Sequence, residues 1–461
     1  MLRVTLSLTG VTAGFLALLG GASSAAPAAV SFHKDVQPIL KRQCAGCHQP
    51  SIRGGKLSVV TYAALKSGGT LGPGFVSGKP ADSPLYKLIS GKNPSMPKDM
   101  PPLNAREVET IRLWIEQGAR DDTPVTNDPI GPSRPPVYTQ PPVISSLAYS
   151  PDGETLAVAG YREILLHKAD GSGLLGRLVG RSQRIESLAF SPDAKTLAAV
   201  GGTSCKFGEL QLWDVATRKQ LKSVEIGFDV LYGVSFSPDG KLVAFGGAEK
   251  AAYLYSVPQA EQLLKFENHS DWVFSTTFSS DSKHMISTSR DRAVKLVEIA
   301  TKNFVDDINY QVYNGGYSAM ARRPGVDEVA VGGEEGLVRL YSIHKKQART
   351  INRDDYNLLR TFEKLDGPIF SLAFNPDGSL LAVGGDSSEV RIYKVADGTR
   401  AGTIQGHSGA IHSLAWHPKG DRLATVGFDG NIRLYSAADG KLAKEFVPVP
   451  ITRRQPKVAA K

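Results

Sequence analysis

The sequence predicts a chain in two parts, a small all-α domain followed by a large all-β ring of seven four-stranded blades. Three observations carry that expectation. Within residues 29–120, apolar side chains recur at helical spacing on either side of a loop-rich stretch. Residues 121–143 hold seven of the chain's 28 prolines and read as an extended spacer. From 144 to 447 an eight-residue pattern occurs seven times at intervals of 41 to 53 residues, the period of propeller blades. Length alone, 461 residues, suggests about three domains; the spacer and the repeats reduce that to two. With 41% apolar and 21% charged residues, wholesale disorder and a disulfide scaffold are excluded. The net charge of +9 is too diffuse to indicate nucleic-acid binding, and none is expected.

The first element, residues 1–28, reads as a secretory signal peptide. Arg3 precedes an apolar run from Val4 to Leu19, and small residues follow. Ala26-Pro27-Ala28 and Ser23-Ser24-Ala25 are both cleavage candidates. Thr9, Gly10, Thr12 and Gly14 break the run, which falls short of the ~20 apolar residues of a membrane span. No later segment is long and apolar enough to cross a bilayer. The mature chain is therefore expected to be periplasmic or otherwise exported, with no transmembrane segment after cleavage.

Next, Phe32, Val36, Ile39 and Leu40 place an amphipathic helix directly before Cys44. Cys44-Ala45-Gly46-Cys47-His48 is the Cys-x-x-Cys-His attachment signature of c-type haem. Thiols three positions apart on one turn can reach two vinyl groups on one haem edge, and the next residue, His48, then lies beneath the iron as proximal ligand. Composition alone produces this pattern about four times in ten thousand such chains. A thioredoxin-like pair would need a strand–helix context, and a zinc site would need more Cys or His at ligand spacing nearby; neither is present. One covalently attached haem c is the expected cofactor.

A loop from Gly54-Gly55 through Gly72-Pro73-Gly74 suits the wrapping of a flat group. Met96 and Met100 follow in a proline-stiffened stretch and are two of only five methionines. A methionine thioether is a common second axial ligand in electron-transfer cytochromes. His33 is a bis-histidine alternative. Asn104 and Glu107 form an Asn-x-x-Glu capping box that opens a helix with Val108, Ile111 and Ile115 on one face and Trp114 beside it.

Residues 31–120 resemble the c-type cytochrome domain of Planctomycetes and related bacteria. The resemblance is carried by Phe32-His33-Lys34-Asp35-Val36-Gln37-Pro38-Ile39-Leu40, the Cys44–His48 signature, Gly54-Gly55-Lys56-Leu57-Ser58, Ser83-Pro84-Leu85-Tyr86, Met96-Pro97 and Ile111–Ala119. It implies Cys44 and Cys47 as haem attachments, His48 as proximal ligand and Met96 as distal ligand. Here, however, Met96 is followed by Pro97-Lys98, while the run Met-Pro-Pro stands at Met100, so the choice between them stays open.

After the spacer, Ser146-Leu147-Ala148-Tyr149-Ser150-Pro151-Asp152-Gly153 returns at Ser187, Gly233, Ser371 and Ser413, and more loosely at Ser275 and Ser318. Each copy leads into an apolar strand and then an alternating one ending in an aromatic, as at Leu212-Trp213-Asp214 or Ile392-Tyr393. The pattern resembles WD repeats, although Trp213-Asp214 is the one literal Trp-Asp. The resemblance implies a scaffold for protein–protein contacts. His269 and His407 are expected as structural partners of the turn residues Asp291 and Asp429. Cys205 is expected to be a buried small side chain. Ring closure is open between Lys441–Val447 as the last blade's own outer strand and recruitment of Val137–Val143. The insertion near Lys345–Tyr356 reads as a surface loop, and residues 448–461 as a basic tail.

Together these features predict an exported electron carrier that docks an unidentified redox partner, rather than an enzyme. Residues 31–125 carry 13 Lys and Arg against 8 Asp and Glu, which favours an acidic partner. Two alternatives are a propeller-based redox enzyme fed by the cytochrome domain and a haem-based sensor.

Overall fold

The computed structural model describes residues 29–48, 54–98, 100–123, 134–310, 315–344, 355 and 357–452. The expected signal segment 1–28, most of the Lys345–Tyr356 insertion and the tail from 453 lie outside them. The chain separates into two compact units, divided between Pro124 and Val125.

The N-terminal unit is helical. A π-helical turn over Phe32–Val36 runs into α1, Gln37–Gln43. Pro38 has no N–H to offer the preceding turn, and the bonds there open to five-residue spacing, with Val36 N donating to Ser31 O and Gln37 N to Phe32 O. Ser31 caps the turn through its hydroxyl, which accepts from Lys34 N at 2.9 Å. Helix α2 spans Tyr62–Ser67, α3 Pro84–Ile89 and α4 Ala105–Glu116. The capping box of α4 is formed in both directions, with Glu107 N donating to Asn104 Oδ1 and Asn104 N to Glu107 Oε2. The apolar stripes of α1 and α4 meet in one core containing Phe32, Val36, Leu40, Leu65, Ile111, Trp114 and Ile115. Trp114 is 1% exposed and packs edge-on against Phe75 at 4.9 Å between ring centroids, the favoured geometry for aromatic pairs.

Among the described residues, the C-terminal unit has 27 strands in six sheets: one of seven strands and five of four. Seven separate sheets are therefore not what the pairing forms. Strand β4, Leu174–Phe190, runs without a break from one repeat into the next. Its first part pairs with β3, Tyr161–Lys168, and its second with β5, Thr196–Thr203. The buried carboxylate of Glu209 holds the crossing point by accepting from Ser182 N, Ser182 Oγ, Gln211 Nε2 and Ser223 Oγ. Among the described residues, none of the sheets closes on itself. The last outer strand, β27 (Leu442–Phe446), pairs with β26 (Ile432–Ser436), so that sheet is built from consecutive chain. Val137–Val143 adds no strand to it; Tyr138 instead forms one parallel bridge with Ile451.

The recurring Ser-Pro-Asp-Gly is a turn with a mechanism. Ser191 Oγ donates to Asp193 Oδ1 at 2.6 Å and accepts from Thr196 N at 2.9 Å, and Ser150 and Ser237 do the same in their repeats. The serine of Ser-Leu-Ala links neighbouring repeats. Ser146 Oγ accepts from Leu188 N, Ser187 Oγ from Val234 N and Ser371 Oγ from Leu414 N, at 3.0–3.2 Å. Part of the glycine excess has a packing cause rather than a turn cause. A Cβ on Gly427 would lie 2.0 Å from the carbonyl oxygen of Ala410.

Candidate functional site

The end of α1 delivers Cys44 into a turn in which His48 N donates to Cys44 O at 2.9 Å. The turn forms one wall of a cavity of about 420 Å³, within the ~300–1,000 Å³ range of ligand pockets. Cys44, Cys47, His48, Met96 and Met100 all line it. The remaining lining is mostly apolar or glycine, including Leu57, Val59, Gly69, Leu85, Leu88 and Ile89. The five predicted site residues are thus brought to one cavity. His33 is not: it is exposed on the π-helical turn and does not line the cavity.

The His48 ring is oriented by Nδ1, 2.8 Å from the carbonyl oxygen of Gly54. A carbonyl only accepts, so Nδ1 carries the proton and Nε2 keeps its lone pair, the tautomer a metal-ligating imidazole requires. Gly54 suits this approach, because a Cβ there would stand 3.1 Å from Cys47 O and 3.4 Å from the His48 ring. Met96 is half-buried, packs against the helical core and is tied down by its N–H to Leu88 O at 3.0 Å. Met100 is 51% exposed. Burial, and secondarily the carboxylate of Glu107, push the Cys44 thiol up to about 11. That is opposite to the depressed value of a thioredoxin-like nucleophile.

Sequence reasoning recognised Glu107 as a helix cap but missed its second contact. Its Oε1 accepts from Arg42 Nη2 at 3.1 Å and lies 3.5 Å from Gln43 Nε2, beside the attachment turn. The Gly54 carbonyl was missed too, and the Gly54-Gly55 pair was the signal available for it.

In the β unit, His269 behaves as expected: Nδ1 meets Asp291 Oδ2 at 2.9 Å and Nε2 meets Ser287 Oγ at 2.8 Å. His407 departs from it. Arg433 stands between the ring and the turn carboxylate, with Nη1 donating to His407 Nδ1 at 3.0 Å and to Asp429 Oδ2 at 2.7 Å. The ring is 4.0 Å from Asp429 and bonds Thr425 Oγ1 through Nε2. His167, His412 and His417 meet backbone carbonyls. Cys205 is exposed rather than buried, because it lies in the turn between β5 and β6 (Phe207–Asp214). Among the described residues, no helix is long and apolar enough to cross a membrane.

Site and fold define a cytochrome c-like domain followed in sequence by a WD-repeat region. Residues 44–103 match the family model for planctomycete cytochrome C, a family that implies a haem cofactor. Residues 260–298 and 398–436 match the WD domain, G-beta repeat, and 320–412 match the anaphase-promoting complex subunit 4 WD40 domain. The chain is similar to WD repeat-containing protein 1 of Bos taurus, 42% identical over 91 residues, covering 19% of this chain and 14% of that protein. The Gallus gallus protein of the same name is 38% identical over 94 residues, 20% of this chain and 13% of its own length. The guanine nucleotide-binding protein subunit beta of Arabidopsis thaliana is 22% identical over 212 residues, 43% of this chain and 54% of that one. The chain therefore spans about a seventh of the length of the first of these relatives.

Proposed function

We propose that the protein is an exported, periplasmic electron carrier with one haem c, whose WD-repeat region docks a protein redox partner. Cys44 and Cys47 form the thioether attachments, His48 Nε2 is the proximal ligand and Met96 Sδ the distal one, with Met100 the alternative. The observation that carries this reading is one apolar cavity lined by both thiols, the correctly tautomerised His48 and the packed Met96. When bound, the group supplies a one-electron couple. The chain's own residues attach it, orient His48 through Gly54 and surround it with mostly apolar side chains. Export is supported by residues 1–28 and by the attachment signature.

The repeats are read as a closed ring of seven blades. In support, the 27 strands make seven four-stranded sets when β4 is counted in two of them. Strand β1 (Leu147–Tyr149) also neighbours β24 (Ile411–Trp416) as well as β4. Leu147 N donates to Ser413 Oγ at 3.2 Å, which repeats the serine link between the last copy and the first. Such closure removes exposed sheet edges.

The test is the spectrum and intact mass of the exported full chain. One covalently added haem, with a methionine–iron charge-transfer band lost in Met96→Ala and kept in Met100→Ala, is the expected result. A chain without haem, or one with a second chromophore, would overturn the reading. Steering toward an acidic partner predicts a reduction rate that falls with ionic strength.

A further inference from the structure

We infer that Glu107 and Arg42 form a charge pair that sets the reduction potential of the attached group, with the carboxylate as the dominant partner. The inference rests on the haem reading above. Arg42 and Gln43 are the last residues of α1 before Cys44, and both line the cavity. Glu107 stands in the first turn of α4 and reaches across to both of them. The capping bond from Asn104 N to its Oε2 at 3.2 Å fixes the carboxylate.

The two charges are unequally screened. The Glu107 side chain is 12% exposed, whereas that of Arg42 is 60% exposed. A charge largely withdrawn from water acts over a given distance more strongly than one surrounded by it. Of the two charges beside the attachment turn, the Glu107 carboxylate is therefore the less screened. Loss of an electron adds one positive charge to the group, so a fixed negative charge nearby favours its oxidised form and lowers its potential.

A purely structural role makes a different prediction. Glu107→Gln and Arg42→Gln break the same ion pair, so a contact that only holds α1 to α4 would be weakened alike by both. An electrostatic role gives shifts of opposite sign. Glutamine at position 107 can still serve the capping box.

The experiment is a spectroelectrochemical titration of the full exported chain, wild type, E107Q, R42Q and the double variant, at low and high salt. E107Q is expected to raise the potential and keep most of the shift at high salt. R42Q is expected to lower it by less, with the shift collapsing at high salt, and the double variant should fall between them. Shifts in the same direction, or none, overturn the inference. If E107Q does not retain the group, R42Q decides alone: a fall supports the pair, and a rise or no change overturns it. Absence of haem from the wild-type chain is a separate result, which defeats the haem reading itself.

Discussion

His407 is one residue through which acidification should weaken the β unit. Its ring is buried with 1% of the side chain exposed. Burial first, then the positive charge of Arg433, hold its pKa down to about 4, with Asp429 partly opposing them. Geometry explains the direction: Nδ1 already accepts from Arg433 Nη1, so a proton there would face a guanidinium. In the unfolded chain the ring returns to the ordinary histidine value of about 6.5 and binds its proton first as the pH falls. Its contribution is thus present above about 6.5 and lost as the pH falls toward 4. Between pH 7 and pH 4.5, linkage gives a loss of about 2.5 kcal/mol from this group. His407→Gln cannot titrate. At pH 7 it is less stable than wild type by about 1–3 kcal/mol, having lost the Thr425 and Arg433 bonds. That gap should narrow by about 2.5 kcal/mol at pH 4.5. Urea denaturation at both pH values checks this, followed by fluorescence of Trp213, Trp272 and Trp416. A gap that is the same at both pH values would refute the reasoning.

Other substitutions test the packing. Gly427→Ala puts a Cβ 2.0 Å from a backbone carbonyl and should cost more than about 3 kcal/mol. Gly402→Ala, with nothing within 4 Å of the added carbon, should be close to neutral in the same melts. Trp114→Ala removes the centre of the helical core and the bond from its indole N–H to Arg120 O, a loss of about 3–5 kcal/mol read as selective melting of helical circular dichroism. Ser187→Ala leaves the Val234 N–H without its acceptor and should cost about 1–2 kcal/mol in urea unfolding.

Much of the architecture was legible because it is local. The cap at Asn104, the stripe ending in Ile115 and the Ser-Pro-Asp-Gly turns are set by residues within one turn of each other. The Cys44–His48 signature is local as well, and its spacing already puts both thiols and the imidazole on one turn. The single uninterrupted β4 was not legible: a connection between repeats and a continued strand share the same composition, and the buried Glu209 that holds the crossing is distant in sequence. The exposed Cys205 was misread because a small apolar side chain carries no signal of which turn it occupies.

What the sequence determined by itself was the order and kind of the parts: helices around an attachment signature, a proline-rich stretch, then repeats. Short-range periodicity and turn chemistry suffice for that. Only the tertiary structure decided which distant groups share a space. It placed Met96 and Met100 at the cavity of Cys44 and His48, set the Gly54 carbonyl on Nδ1, brought Glu107 to Arg42, and put Arg433 between His407 and Asp429. Each of these depends on how elements pack, and an ion pair or hydrogen bond across two elements leaves no trace in the spacing of either.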